Sequence, residues 1–219
     1  QYNKSMVTFL DKLPDGHMGF PGNLTVETTY KITQSTIDIF IEASTDKTTL
    51  CNFTNHSYFN LDGTKNIANH QLMVECDKVL PVDENGIPIS GPIFAKDLDL
   101  DFKTGRTLNN NGNPIEVDHN FCISNTRQNL RRNAFVTAKN ISLELFSTEP
   151  GLQVYTGKGL NSGNEKIWGK YPYREFAGIA LEPQIWPDAP NQKDFPNPLL
   201  KPGDKYKHHT RLKFSRTKI

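Results

Sequence analysis

The sequence has no long apolar runs and no helical periodicity. Nowhere in its 219 residues do 18 or more apolar residues follow one another, so we expect no membrane-spanning helix and no membrane partner. No segment keeps apolar residues at spacings of three, four and seven over the length of a helix. A membrane protein and a helical bundle are therefore both disfavoured.

Charge of one sign is not in excess either. Lys and Arg number 25 against 24 Asp and Glu, which gives a net charge of +1 at pH 7. The chain has neither a basic stretch dense enough to follow a phosphate backbone nor an acidic tail. We expect no nucleic-acid partner.

Cysteine is scarce. The three cysteines, Cys51, Cys76 and Cys122, are far apart in the chain, and none belongs to a C-x-x-C pair. An odd number of isolated thiols inside strand-like runs favours free cysteines in a reducing compartment. We therefore expect a cytoplasmic location.

Metal-binding patterns are weak. Asp97, Asp99 and Asp101 alternate along the chain, but they lack the following Gly and distal Glu of a calcium loop. His208 and His209 are adjacent, so on a strand they point to opposite faces and do not form a pair of ligands. These motifs lead us to expect no metal.

Alternation with period two is present along most of the chain. In the segment 23–33, the residues Leu24, Val26, Thr28, Tyr30 and Ile32 share one face, which is typical of a half-buried strand. Similar short runs are separated by turn sequences such as DENGIP, NNNGNP and KPGD. This pattern predicts an all-β protein, a large antiparallel β-sandwich or barrel.

The length allows one large all-β domain or two small ones, and a single domain over residues 1–219 is the simpler hypothesis. The Asn-rich segment 108–117 is either a domain boundary or a surface loop. We favour the surface loop.

Four polar positions stand out from this background: His56 in FTNHSYFN, Asp118 in VDHNF, Gln153 in PGLQVYTG and Glu182 in ALEPQIWPD. For each there is an ordinary structural alternative. His56 is then a hydrogen-bonded core histidine, and Asp118 belongs to a loop that enters a strand. Gln153 belongs to a turn before a strand, and Glu182 is a surface glutamate. The alternative is weakest for Glu182, because it follows an apolar run and precedes proline and tryptophan. A buried carboxylate is costly unless it is paired or functional.

Several long motifs, taken together, resemble the aldose 1-epimerases, also called galactose mutarotases. They are GFPGNLTVETTYKIT, NFTNHSYFNLDG, LPVDENGIP, DHNF, STEPGLQVYTG and LEPQIWPDAPNQKDFPNPLLKPGDKY, and they occur in the family's order. The resemblance covers essentially the whole chain. It implies a galactose mutarotase-like β-sandwich that interconverts the α and β anomers of free hexoses, such as galactose and glucose, without a cofactor.

The resemblance also implies a role for each of the four residues. His56 matches the family's general acid and Glu182 its general base, while Asp118 and Gln153 match positions that hold sugar hydroxyls. We expect His56 and Glu182 to face each other across a cleft about one sugar ring wide. The alternative is a carbohydrate-binding or sensor paralogue with the same fold and no catalysis.

Family members are longer than this chain in front of the FPGNL motif, and that part carries an arginine and a histidine of the sugar site. We therefore expect residues 1–219 to correspond to the C-terminal two-thirds of the family fold, as a piece of a longer protein or as a natural short form. A sandwich without its first strands exposes sheet edges. This leads us to expect self-association or pairing with the N-terminal segment, and weak activity of this chain alone.

Overall fold

The structure is a computed structural model that describes residues 2–3, 5–165 and 172–216. Almost all its regular structure is β, as the alternating pattern predicts. The strands in the described residues are β1 (Tyr2–Asn3), β2 (Met6–Leu13), β3 (Leu24–Thr33), β4 (Thr36–Thr45), β5 (Thr49–Leu50), β6 (Tyr58–Phe59), β7 (Gln71–Val74), β8 (Lys78–Val79), β9 (Ile93–Phe94), β10 (Arg106–Thr107), β11 (Asn109–Asn110), β12 (Asn113–Pro114), β13 (Asp118–Phe121), β14 (Arg131–Ala138), β15 (Ile141–Ser147), β16 (Gly151–Tyr155), β17 (Ile179–Gln184), β18 (Leu199–Leu200) and β19 (Tyr206–Arg216).

The helical segments of the described chain are short 3-10 turns at His17–Gly19, Ala95–Leu98 and Ala189–Asn191. No helix among the described residues is long and apolar enough to cross a membrane.

Two antiparallel sheets make up most of the molecule. The larger has nine strands in the order β1-β2-β3-β4-β19-β15-β14-β7-β10, and the smaller has six in the order β6-β17-β16-β13-β8-β9. Leu143 and Leu145 from the larger sheet share one buried cluster with Leu152, Val154 and Leu181 from the smaller. The two sheets therefore pack face to face, which confirms the predicted sandwich.

The Asn-rich segment is a small hairpin. Strands β11 and β12 pair across a two-residue turn formed by Asn111 and Gly112, which have positive φ angles of 51° and 92°. An Asn-Gly pair tolerates this conformation, and the resulting turn matches the twist of the paired strands. The flanking residues Leu108 and Val117 both belong to the buried cluster.

Strand β19 shows how alternation separates the two faces of the larger sheet. His208 is buried and points into the sandwich, where its Nδ1 lies 3.0 Å from the carbonyl oxygen of Phe53. His209 points to the opposite face and bonds Asp38 at 2.7 Å. This confirms that the adjacent histidines lie on opposite faces.

His70 and His208 are both buried, and burial lowers the pKa of each imidazole. The Nε2 of His70 accepts a hydrogen bond from the backbone N–H of Leu61 at 2.8 Å. The Nε2 of His208 lies 2.8 Å from the Thr210 hydroxyl. A second proton on either ring would remove an acceptor and place a charge in the core.

We therefore predict that stability falls at mildly acidic pH. The unfolded histidines bind protons near pH 6.5 but the folded ones bind them only at lower pH, so the free energy of unfolding is highest above about pH 6.5 and decreases below it. Urea unfolding between pH 8 and pH 5 measures this slope. The change His70→Gln, which keeps an acceptor but does not titrate, should reduce it. The same change at exposed His17 should not, and equal slopes for all three proteins would contradict the prediction.

Candidate functional site

Strands β13, β16 and β17 present polar residues on one face. Asn120 pairs with Gln153, and Gln153 pairs with Glu182. Residues that are directly opposite in an antiparallel pair lie on the same side of the sheet. All three therefore point away from the sandwich core, as does Asp118, two residues before Asn120.

The opposite face of the same strands is apolar. Phe121, Leu152, Val154 and Ile179 are fully buried between the two sheets. Because these residues must face the core, their neighbours in sequence must face outward. His119 therefore points to the core side, and burial lowers the pKa of its imidazole.

A second, smaller cluster covers one end of the polar face. It contains Leu80, Cys122 and Trp186, with Phe195 packed against it. Gly151 allows Trp186 to lie close to the sheet, because a Cβ at Gly151 would be 2.9 Å from the indole Cδ1. The Trp186 N–H donates to the carbonyl of Pro150 at 3.1 Å.

Glu182 and His56 lie next to each other on this face. The Nε2 of His56 lies 3.6 Å from Oε1 of Glu182, a distance of an ion pair rather than of a hydrogen bond. The Glu182 side chain is 10% exposed and that of His56 is 52% exposed. The gap between these two atoms is narrower than the sugar-ring width expected from the sequence, so a sugar ring does not fit between the two side chains in this arrangement.

The environment of Glu182 favours its protonated form. Burial raises the pKa of the carboxyl, the nearby His56 opposes this shift, and Asp118 adds to it by like-charge repulsion. A carboxylate with a raised pKa is a stronger base when it is ionised. Perturbed carboxylates of this kind are characteristic of functional sites.

His56 lies in an irregular segment rather than in a strand. The preceding Asn55 uses its Nδ2 to donate to the Tyr30 hydroxyl at 3.1 Å and its Oδ1 to accept from the backbone N–H of Ser57 at 3.2 Å. The chain enters β6 directly afterwards. Turn-forming asparagine side chains are therefore part of what fixes the histidine.

Asp118 and Gln153 meet diagonally across the β13–β16 pair. The Nε2 of Gln153 donates to Oδ1 of Asp118 at 2.6 Å. The Oε1 atom of Gln153 is buried and has no hydrogen-bond partner in the described part of the chain. The pair thus offers carboxylate and amide oxygens that can accept hydrogen bonds from a polar ligand.

Two tyrosines on this face were not assigned a role from the sequence. Tyr58 pairs with Ala180 and Tyr155 pairs with the same residue from the other side, so both rings lie on the face of Glu182. The Tyr58 ring is 5.0 Å from His56 and 6.2 Å from Tyr155 between centroids. Burial raises the pKa of the Tyr58 hydroxyl, with Tyr155, Glu182 and Asp118 adding to the shift.

We predict opposite effects of the two neighbours on Glu182. His56→Asn removes the imidazole that lowers the pKa of the Glu182 carboxyl and should raise that pKa further, whereas Asp118→Asn removes the carboxylate that raises it and should lower it. Titration of the carboxyl carbon by NMR measures both shifts. Glu84→Gln, a change at an exposed residue of the DENGIP turn, is the control. Shifts of the same sign in the two variants would show that this geometry is wrong.

Comparison with known proteins agrees with the fold and with the motifs. The family model described as aldose 1-epimerase matches residues 1–213. Galactose mutarotase of Homo sapiens is 39% identical over 214 residues, which are 92% of this chain and 60% of that protein. Aldose 1-epimerase of Escherichia coli (strain K12) is 34% identical over 225 residues, which are 97% of this chain and 64% of that protein.

Solved structures agree as well. The crystal structure of an aldose epimerase homologue from C. elegans superposes with a TM-score of 0.90 at 26% identity, over 100% of this chain and 68% of that one. Galactose 1-epimerase from Lactobacillus acidophilus superposes with a TM-score of 0.81 at 26% identity, over 100% and 65%. The chain spans about three-fifths of the length of the mouse and human relatives it matches. On the family model and these relatives together, the chain belongs to the aldose 1-epimerase family.

Proposed function

We propose that this protein is an aldose 1-epimerase, which interconverts the α and β anomers of free hexoses such as galactose and glucose. The observation that carries the proposal is the contact of 3.6 Å between Nε2 of His56 and Oε1 of Glu182 on the polar face of the smaller sheet. The named activities of the relatives support the same reaction.

Glu182 acts as general base and His56 as general acid. Glu182 removes the proton of the anomeric hydroxyl while the His56 imidazolium protonates the ring oxygen, so the bond from C1 to the ring oxygen breaks and an aldehyde forms. The two oxygens are bonded to the same carbon, so the groups that serve them have to lie close together. The short His56–Glu182 distance meets that requirement.

Closure of the ring reverses both proton transfers. Rotation about the C1–C2 bond presents the other face of the aldehyde, His56 takes back its proton from the hydroxyl that attacks, and Glu182 returns a proton to the aldehyde oxygen. The reaction moves only protons and rearranges bonds within the sugar. Its balance therefore requires no oxidant, reductant or covalent intermediate.

Asp118 and Gln153 hold hydroxyl groups of the sugar. Asp118 is exposed, and Gln153 has a buried oxygen without a partner in the described residues. Both are on the face that carries Glu182. Hydrogen bonds from these groups would orient the ring over the catalytic pair, and orientation of this kind contributes to rate.

We place the protein in the cytoplasm. Cys51, Cys76 and Cys122 are free and buried, and burial raises the pKa of the Cys51 thiol to about 12. Free thiols that remain unpaired are typical of a reducing compartment.

We predict that Glu182→Gln abolishes most of the activity. The amide keeps the shape of the side chain but cannot accept the proton, and loss of a general base typically costs about 10²–10⁴ in rate. Polarimetry on freshly dissolved α-D-galactose, corrected for spontaneous mutarotation, measures the rate, and calorimetry measures galactose binding, which should persist. His56→Asn should likewise lose most of the rate and keep galactose binding. The control Glu84→Gln should have the rate and the binding of the unmodified chain.

Two results would count against this proposal. A chain that binds galactose but does not accelerate mutarotation, even when it is extended by the N-terminal part of the family fold, would be the carbohydrate-binding alternative. An active chain in which Glu182→Gln keeps its rate would require a different base.

For Asp118→Asn we predict a higher KM with a smaller change in kcat. The variant replaces a charged acceptor by a neutral one, so it weakens contact with a sugar hydroxyl while the acid and base remain. The same polarimetric assay over a range of galactose concentrations separates the two parameters. A loss confined to kcat would contradict a binding role for Asp118.

A further inference from the structure

The irregular segment that carries His56 runs antiparallel beside β17, the strand that carries Glu182. Regular backbone pairing joins them only where Tyr58 and Phe59 pair with Ala180 and Ile179. In these pairs the partner number falls by one for each step along the segment. If this register continued, the partner of His56 would be Glu182.

Backbone pairing stops before it reaches His56, so another contact has to keep the segment beside β17. The far end of the segment has such a contact. The Oδ1 of Asn52 accepts a hydrogen bond from the backbone N–H of Ile185 at 2.9 Å, and Nδ2 of Asn52 donates to the Ile185 carbonyl at 3.1 Å. The carboxamide therefore makes with Ile185 the two bonds that the N–H and C=O of one residue in a paired antiparallel strand would make.

The remaining contacts at this end lead to other parts of the molecule. The backbone N–H of Cys51 donates to Pro198, and the N–H and carbonyl of Phe53 both contact the Tyr206 hydroxyl. Among the hydrogen bonds of residues 51–53 in the described chain, those of Asn52 run to the end of β17. Within this set, the two bonds of the Asn52 side chain are the ones that connect this end of the segment to Ile185, the residue that follows β17.

We propose that Asn52 is a positioning residue that holds His56 opposite Glu182. Its side chain makes the two hydrogen bonds to Ile185 that backbone pairing would otherwise make. Tyr58 and Phe59 fix one end of the segment on β17, Asn52 fixes the other, and His56 lies between the two attachments. Its link to catalysis rests on the proposed function; its effect on the His56–Glu182 geometry does not.

Removal of the carboxamide should leave the fold intact. Asn52 is exposed, so water can reach the place that its side chain leaves and can hydrogen-bond the freed groups of Ile185. The phenyl ring of Phe53 packs against the core cluster, and its backbone remains bonded to Tyr206 and His208. The change should therefore loosen the register of the segment rather than unfold it.

The test compares Asn52→Ala with the unmodified chain by three measurements. The Ile185 amide should exchange its hydrogen faster, and the pKa of the Glu182 carboxyl should rise further because the His56 imidazole, which lowers it, moves away. In the polarimetric assay, kcat should fall about 10- to 100-fold with little change in KM, since a displacement of about 1 Å can cost 10²-fold in rate.

Asn52→Asp is the second variant. It keeps the shape of the side chain but replaces the donor beside the Ile185 carbonyl by a carboxylate oxygen, so it should also reduce kcat. Asn133→Ala is the matched control: Asn133 is a buried asparagine whose Oδ1 accepts from the N–H of Ser147. It should lower stability without changing the Glu182 titration or kcat.

The outcomes separate this proposal from the proposed function. If the unmodified chain is inactive, amide exchange and the Glu182 titration still report whether Asn52 sets the geometry. If both Asn52 variants leave those two measurements unchanged, the positioning role is wrong, whatever the activity. If Asn133→Ala, against this expectation, lowers kcat as much as Asn52→Ala does, the loss reflects lower stability and the positioning role is wrong.

Discussion

The antiparallel register of β13, β16 and β17 is the constraint on which the rest of the site depends. Leu152, Val154 and Leu181 face the core and are at most 3% exposed. Burial of each such side chain is worth about 1.5–3 kcal/mol relative to exposure, and a shift of one residue would turn all of a strand's core residues outward. Gln153 and Glu182 are thus held side by side by the packing of their neighbours.

Two buried glutamates, Glu149 and Glu182, have different partners. Glu149 is fully buried, and Nε of Arg127 donates to its Oε1 at 2.7 Å. The Arg127 guanidinium also lies over the Tyr206 ring at 4.5 Å. Among the described residues, the ion-pair partner of Glu182 is half-exposed His56, at the longer distance of 3.6 Å. Burial raises the pKa of the Glu182 carboxyl, and the nearby His56 opposes that shift.

The larger sheet takes part in the site although it supplies none of the four residues predicted from the sequence. Tyr206 and His208 of β19 reach across the sandwich and bond the backbone of Phe53. The Tyr30 hydroxyl of β3 accepts a hydrogen bond from Asn55. Because these residues belong to long, paired strands, the irregular segment around His56 is attached to a rigid frame.

The sequence by itself determined the strands, the turns and the identity of the chemical groups. Alternation is a local property, so it indicates most strands and the opposite faces of His208 and His209. The Asn111–Gly112 pair supplies the turn of the hairpin within the segment 108–117, for which the sequence favours a surface loop. The motifs pointed to His56, Asp118, Gln153 and Glu182. Only the tertiary structure decided that Tyr58 and Tyr155 share their face, that His56 and Glu182 are 3.6 Å apart and that Asn52 bonds Ile185. These relations join residues as much as 133 positions apart, and they depend on which strands pair and in which register, which is set by burial across the whole sandwich rather than by any local pattern.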